Sequence, residues 1–168
     1  MNYRVRLLTP ANESIFRPVR LDALRLHPTA FGGTYEEERS VPPATRTERL
    51  LSPPSMMFGG FTDNDELVGT AGLRLETRDK IGHKATLFAV YVDAAHRGTG
   101  LARMLVEAAV AQARSLERRV MYLTVTEGNH AARRLYASLG FRRYGVEPRA
   151  LRIDGQFLDR ELMALDLD

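Results

Sequence analysis

The stretch from residue 85 to residue 116 limits what this chain can fold into more than any other. An apolar, strand-like run over 85–92 passes through a short turn holding Gly98 and Gly100 straight into the clearest helix, over 99–116. Leu101, Met104, Leu105, Ala108 and Ala109 recur there at helical spacing, with Arg103, Glu107 and Arg114 on the other side. That is the pattern of a helix laid against a core. A buried strand that feeds such a helix needs a sheet to join and a face to pack on, so a mixed α/β (α+β) domain around one sheet is expected.

The other periodicities agree with that frame. Residues 3–8 alternate as a strand ended by Pro10, and residues 11–26 carry Ile15, Val19, Leu21 and Leu24 at helical spacing despite Pro18. Residues 27–39 open as a loop and close on the acidic run Glu36, Glu37, Glu38, and prolines bracket a short helix over 44–51. Strands follow over 56–62 and 67–75, hinged at Asp63-Asn64-Asp65, and a turn region over 77–82 leads into the central strand. Residues 120–126 read as a strand and 129–139 as a short helix with Gly140 placed at its C-terminal end. Residues 141–153 and 157–167 are two strands joined by Asp154-Gly155, a hairpin signal. The predicted order is β-α-α-β-β-β-α-β-α-β-β, with about seven strands.

Composition narrows the chemistry. A chain of 168 residues fits one domain, 1–168. It has no cysteine, which removes thiolate nucleophiles, thiolate metal sites and disulfides, and no metal is expected. The 24 Lys and Arg against 21 Asp and Glu leave a surplus too small to argue for nucleic acid. The densest basic cluster, Arg142, Arg143, Arg149 and Arg152, reads as a solvated strand face rather than a binding patch. Residues 1–6 carry charge with no apolar run behind them, and no stretch approaches the roughly 20 apolar residues of a membrane span. A cytoplasmic location with no membrane partner is expected.

The turn at Arg97-Gly98-Thr99-Gly100 aims backbone N–H groups and the positive end of a helix at one spot, a ready site for an anion such as a pyrophosphate. A helix entry that merely happens to be glycine-rich is the plainer alternative. Two other phosphate-binding patterns fail. No glycine is followed by Lys-Ser or Lys-Thr, as a P-loop requires, and a dinucleotide fingerprint would place glycine where Arg103 stands.

Arg97-x-x-Gly100-x-Ala102 resembles the Arg/Gln-x-x-Gly-x-Gly/Ala signature of the GNAT (Gcn5-related N-acetyltransferase) superfamily. The likeness extends to Asn129, Ala132, Tyr136 and Leu139-Gly140-Phe141, which look like the family's Asn-x-x-Ala-x-x-x-Tyr-x-x-x-Gly-Phe segment, and to the order of elements throughout. The resemblance implies an N-acetyltransferase that moves an acetyl group from acetyl-CoA to a small-molecule or peptide amine by direct attack in a ternary complex. It implies that Val90, Tyr91 and Val92 pair with the pantetheine arm. It assigns the pyrophosphate to the turn and helix start at Arg97, Gly98, Thr99, Gly100, Leu101, Ala102 and Arg103, and the pantetheine region to Asn129 and Ala132. Tyr136 matches the tyrosine that serves as general acid toward the departing thiolate; taken alone it would read as an aromatic core residue. A homodimer using an edge strand is also expected from the resemblance.

The general base stays open among His83, Glu37 and Glu127. His83 precedes the central strand and has suitable basicity, yet an ordinary polar residue also fits there. Glu127 ends the next strand near the expected acceptor site, and Glu37 belongs to a run that would attract a cationic amine or simply suit a helix N-terminus. Ordered water is the alternative to all three. The loops at 77–82 and 154–155 are expected to frame the acceptor pocket. A regulatory module that binds acyl-CoA without turnover is the rival reading, and the presence of Tyr136 argues against it.

Overall fold

The computed structural model describes residues 2–168; Met1, the first residue of the charged stretch 1–6, lies outside them. In chain order the elements are β1 (Tyr3–Leu7), α1 (Glu13–Leu26), α2 (Tyr35–Arg39), α3 (Pro43–Leu50), β2 (Ser55–Thr62), β3 (Leu67–Leu75), β4 (Lys84–Val92), α4 (Leu101–Ser115), β5 (Val120–Thr126), α5 (His130–Ser138), β6 (Arg142–Ile153) and β7 (Gln156–Asp166). The seven strands form one sheet in the order β1-β2-β3-β4-β5-β7-β6. Every pairing is antiparallel except β4 with β5, which are parallel. A parallel pair cannot be joined by a hairpin, and α4 supplies the crossover.

Two apolar clusters cover the two faces. Met57 and Phe58 are neighbours on β2 yet fall in different clusters, as the alternation of a strand requires. One face is covered by α4, whose Leu101, Leu105, Val106, Ala109, Val110 and Ala113 are buried. The expected stripe was slightly misplaced: Met104 is 38% exposed, and Val106 and Val110 hold the positions that meet the sheet. On the other face Phe16, Leu50, Leu51, Met57 and Phe61 pack beneath α1 and α3.

Three helices, not two, separate β1 from β2. The extra one, α2, has five residues and forms where the acidic run was read. The Glu37 amide donates to Thr34 Oγ1 at 3.1 Å, and Thr34 N–H donates to the Glu37 carboxylate at 2.9 Å. This reciprocal cap satisfies donors that a helix start otherwise leaves unpaired, which is why so short a segment stays helical. Among the described residues no helix is long and apolar enough to cross a membrane.

Candidate active site

The site arises from a failure of pairing. β4 and β5 run together only at Lys84↔Val120, Ala85↔Met121 and Thr86↔Tyr122, and then part. The cause lies on the other side of β4, where its register with β3 slips between Thr70 and Gly72. Ala89 takes the extra residue with φ of 51°, and Thr70 Oγ1 donates to its carbonyl at 2.9 Å. A bulge of this kind bends the strand that carries it. The edge of β4 that faces β5 therefore has no ladder partner beyond Thr86.

A cleft of about 590 Å³ opens between the parted strands. Residues 87–92 of β4 line one wall and residues 123–126 of β5 the other, while Phe31, Asn129, Ala132 and Tyr136 close its sides. Unpaired strand edges in a groove suit a ligand with amides of its own, which can complete the ladder as a missing strand would.

At one end of the cleft stands the glycine turn. Gly98 and Gly100 have φ of 72° and 89°, a region that side-chain-bearing residues rarely adopt, and a Cβ on either would meet nothing within 4 Å. These glycines are thus required by backbone conformation and by open space in front of them, not by packing within the chain. Gly100 caps the fifteen-residue α4, so the first free N–H groups of that helix face the same space. Arg97 is folded back: its Nε donates to Val92 O at 3.0 Å and its Nη2 to His27 Nε2 at 2.6 Å. Burial and the neighbouring guanidinium hold His27 below the ordinary imidazole range, so it accepts this bond as the neutral ring. Arg103 bridges to α5, donating to Ser138 Oγ at 2.7 Å.

Asn129 caps α5 by accepting from the Ala132 amide at 3.3 Å, which leaves its side-chain NH2 available at the cleft wall. Two turns on, Tyr136 is 7% exposed, lines the cleft and stands edge-to-face with Phe141 at 5.8 Å. Burial pushes its hydroxyl well above the ordinary value near 10, so it is a proton donor over the whole physiological range.

Residues 21–141 match the acetyltransferase (GNAT) family. The chain belongs to that family. N-alpha-acetyltransferase RimI of Mycobacterium tuberculosis is 35% identical over 115 residues, covering 68% of this chain and 69% of that protein. An L-methionine sulfoximine/L-methionine sulfone acetyltransferase of Salmonella typhimurium is 38% identical over 79 residues, which is 47% of this chain and 46% of that protein. Among solved structures, that of yncA from Salmonella typhimurium with its cofactor acetyl-CoA superimposes with a TM-score of 0.82 at 26% identity, covering 100% of this chain and 95% of that one. The GNAT chain is accordingly an acyltransferase, and acetyl-CoA is its acyl donor.

The residues present fit that donor: the glycine turn has room for the pyrophosphate, and the unpaired edge of β4 has amides and carbonyls for the pantetheine. Of the residues expected to contact it, Val90, Tyr91, Val92, Arg97, Gly98, Gly100, Leu101, Ala102, Arg103, Asn129, Ala132 and Tyr136 all line the cleft. Thr99 does not; its Oγ1 donates to His96 O at 2.7 Å and braces the turn from behind. The three base candidates are not brought together. His83 sits at the closed end, where its carbonyl accepts from the Arg119 amide at 2.8 Å, and Glu37 is engaged in the cap of α2. Glu127 follows the cleft-lining Thr126, and its carboxylate accepts from the Asp159 amide at 2.9 Å. No residue of the loops at 77–82 or 154–155 lines the cleft.

Phe31, which opens the segment 31–38 that resembles the family's acceptor-side loop and helix, lines the cleft; sequence reasoning missed His27 and His96, which reach it from the α1–α2 loop and the turn after β4. The Tyr3 hydroxyl and His96 Nδ1 are hydrogen-bonded at 3.0 Å. Nothing local marks these residues. The role of Glu37, in contrast, was legible as the Thr-x-x-Glu spacing of a reciprocal helix cap.

Proposed function

We propose that this GNAT chain, as a single domain over 1–168, transfers an acetyl group from acetyl-CoA to a primary amine by direct attack in a ternary complex, with Tyr136 as general acid. The observation that carries the proposal is the placement of a buried, protonated tyrosine on the wall of a cleft opened by parted strands. Bound acetyl-CoA supplies an activated acyl carbon and a thiolate leaving group. The turn at Gly98 and Gly100 holds the phosphate end, the free edge of β4 aligns the arm, and the Tyr136 hydroxyl delivers its proton toward the departing sulfur. The chain has no cysteine on which to park an acyl group, which favours direct attack.

The described residues that line the cleft include no Asp or Glu, and its two histidines are engaged, His27 Nε2 with Arg97 and His96 Nδ1 with the Tyr3 hydroxyl. Water is therefore the favoured route for the amine's proton, with Glu127 at the rim as the only one of the three candidates beside it. His83→Ala and Glu37→Gln should leave the pH–rate profile unchanged; a lost ascending limb in either would restore that residue as the base. Homodimerisation through the outer strand β6 belongs to the same proposal, and light scattering that shows a monomer at working concentration would remove it.

Tyr136→Phe is expected to lower kcat by about 10²–10⁴-fold, the range of general acid catalysis, with acetyl-CoA affinity unchanged by calorimetric titration. A variant that keeps full kcat would end the assignment. The pH dependence follows from the direction of the shift. The rate should rise as the acceptor amine loses its proton, at about pH 8 for an α-amine. It should show no fall up to the ordinary tyrosine value near 10, because burial keeps Tyr136 protonated there. A descending limb near neutrality that Tyr136→Phe abolishes would contradict this.

A further inference from the structure

On the acceptor side of the sheet, β7 carries a guanidinium with no partner. Arg160 stands directly opposite Thr126 of β5, and residues so paired project from the same face. Its Nε is buried without a hydrogen-bond partner, and among the described residues its guanidinium enters no ion pair. Glu147 faces it across from β6 but is exposed and forms no ion pair with it, and Glu161 lies on the opposite face, 3.2 Å from Arg133. Thr126 repeats the pattern: it is 5% exposed, lines the cleft, and its hydroxyl is buried with no partner. A buried Arg160 Nε beside a buried Thr126 hydroxyl, both unsatisfied, costs stability unless something pairs with them when the protein works.

The third wall is the loop after α1. A Cβ on Gly32 would stand 3.6 Å from Arg160 Nη2, and the preceding Phe31 lines the cleft. The guanidinium thus lies against the segment that borders the acceptor end, with only a glycine between. A planar fork of N–H donors is the arrangement that takes a carboxylate with two parallel bonds. A positive charge there would also favour the neutral, reactive form of a nearby amine.

We infer that Arg160 and Thr126 form a subsite for the carboxylate of the acceptor, so that the amine acetylated here belongs to a small molecule carrying a carboxylate, such as a free amino acid. The inference rests on the acetyl-transfer reading above. It differs from that reading in naming residues on β7 and β5 that select the acceptor and leave the donor untouched.

The test is acetylation of a panel of L-amino acids, each supplied as the free acid and as its carboxamide, by the native protein, Arg160→Gln and Arg160→Lys, with melting curves to confirm folding. For the best free acid, kcat/KM should exceed that of its amide by about tenfold or more, the scale of a charge-assisted hydrogen bond. Arg160→Gln should bring that ratio to within about twofold of unity while acetyl-CoA affinity stays native, and Arg160→Lys should fall between, because it keeps the charge and loses the fork. Amides that match or outrun the acids, a ratio preserved in Arg160→Gln, or failure to acetylate any free acid would each overturn the subsite. Native protein that does not bind acetyl-CoA in the same buffer would instead overturn the acetyl-transfer reading, and the subsite with it.

Discussion

Gly100→Val is expected to weaken acetyl-CoA binding by about 100-fold or more, since each hydrogen bond to a charged group contributes about 1.5–3 kcal/mol and the turn would lose one or two. The reasoning starts from φ of 89° at Gly100. A β-branched residue does not sit there without strain of about 1–2 kcal/mol, so the turn would relax and swing its amides away from the space they now face. Because a Cβ at this position meets no protein atom within 4 Å, nothing inside the fold is crowded, and the loss should appear in binding far more than in stability. Calorimetric titration beside a melting curve separates the two. Native affinity in the variant would mean that the pyrophosphate is held elsewhere; a collapsed melting temperature with binding intact would mean that the turn is structural.

The second large effect is on the fold beneath the acceptor side. Arg46 is fully buried, donating from Nε to Glu38 at 3.0 Å, from Nη1 to Glu13 at 2.6 Å, and from Nη2 to the carbonyls of Glu38 and Val41 at 2.9 Å each. One side chain thereby ties α1, α2, α3 and the loop between the last two. Arg46→Ala removes the cation and leaves the buried Glu38 carboxylate facing only Arg20, whose Nε is 4.0 Å away. Breaking a buried pair in this way costs about 3–5 kcal/mol. Urea denaturation should show that loss. In whatever fraction stays folded, the Michaelis constant for the amine should rise more than that for acetyl-CoA, because the loop at 27–34 hangs between α1 and α2. A loss under about 1 kcal/mol would show that the network contributes little, as exposed ion pairs do.

How far the sequence could be read depended on the range of the interaction. Arg97, Gly98, Gly100 and the residues after them are contiguous, so the turn and the helix it starts were visible as one motif. Asn129, Ala132 and Tyr136 lie on successive turns of one short helix and were visible for the same reason. The strands were legible because alternation and turn residues are local. The short helix α2 is absent from the predicted order of elements, since five residues carry too little periodicity to register, although the acidic run suited a helix N-terminus and the cap was written in Thr34 and Glu37.

What stayed hidden is what the sheet assembles. His27 meets Arg97 across 70 positions, Arg46 meets Glu13 across 33, and Arg160 meets Thr126 only because β7 inserts beside β5. The bulge at Ala89 is set by its register against Thr70, which no window along β4 contains. The chain by itself determined the strands, the longer helices and the glycine turn that opens α4, because backbone preference, side-chain period and glycine conformation act over a few residues. The tertiary structure alone decided that β4 and β5 part, that a cleft lies between them, and which side chains from distant segments face it. Those outcomes depend on burial shared between residues that the sequence keeps far apart.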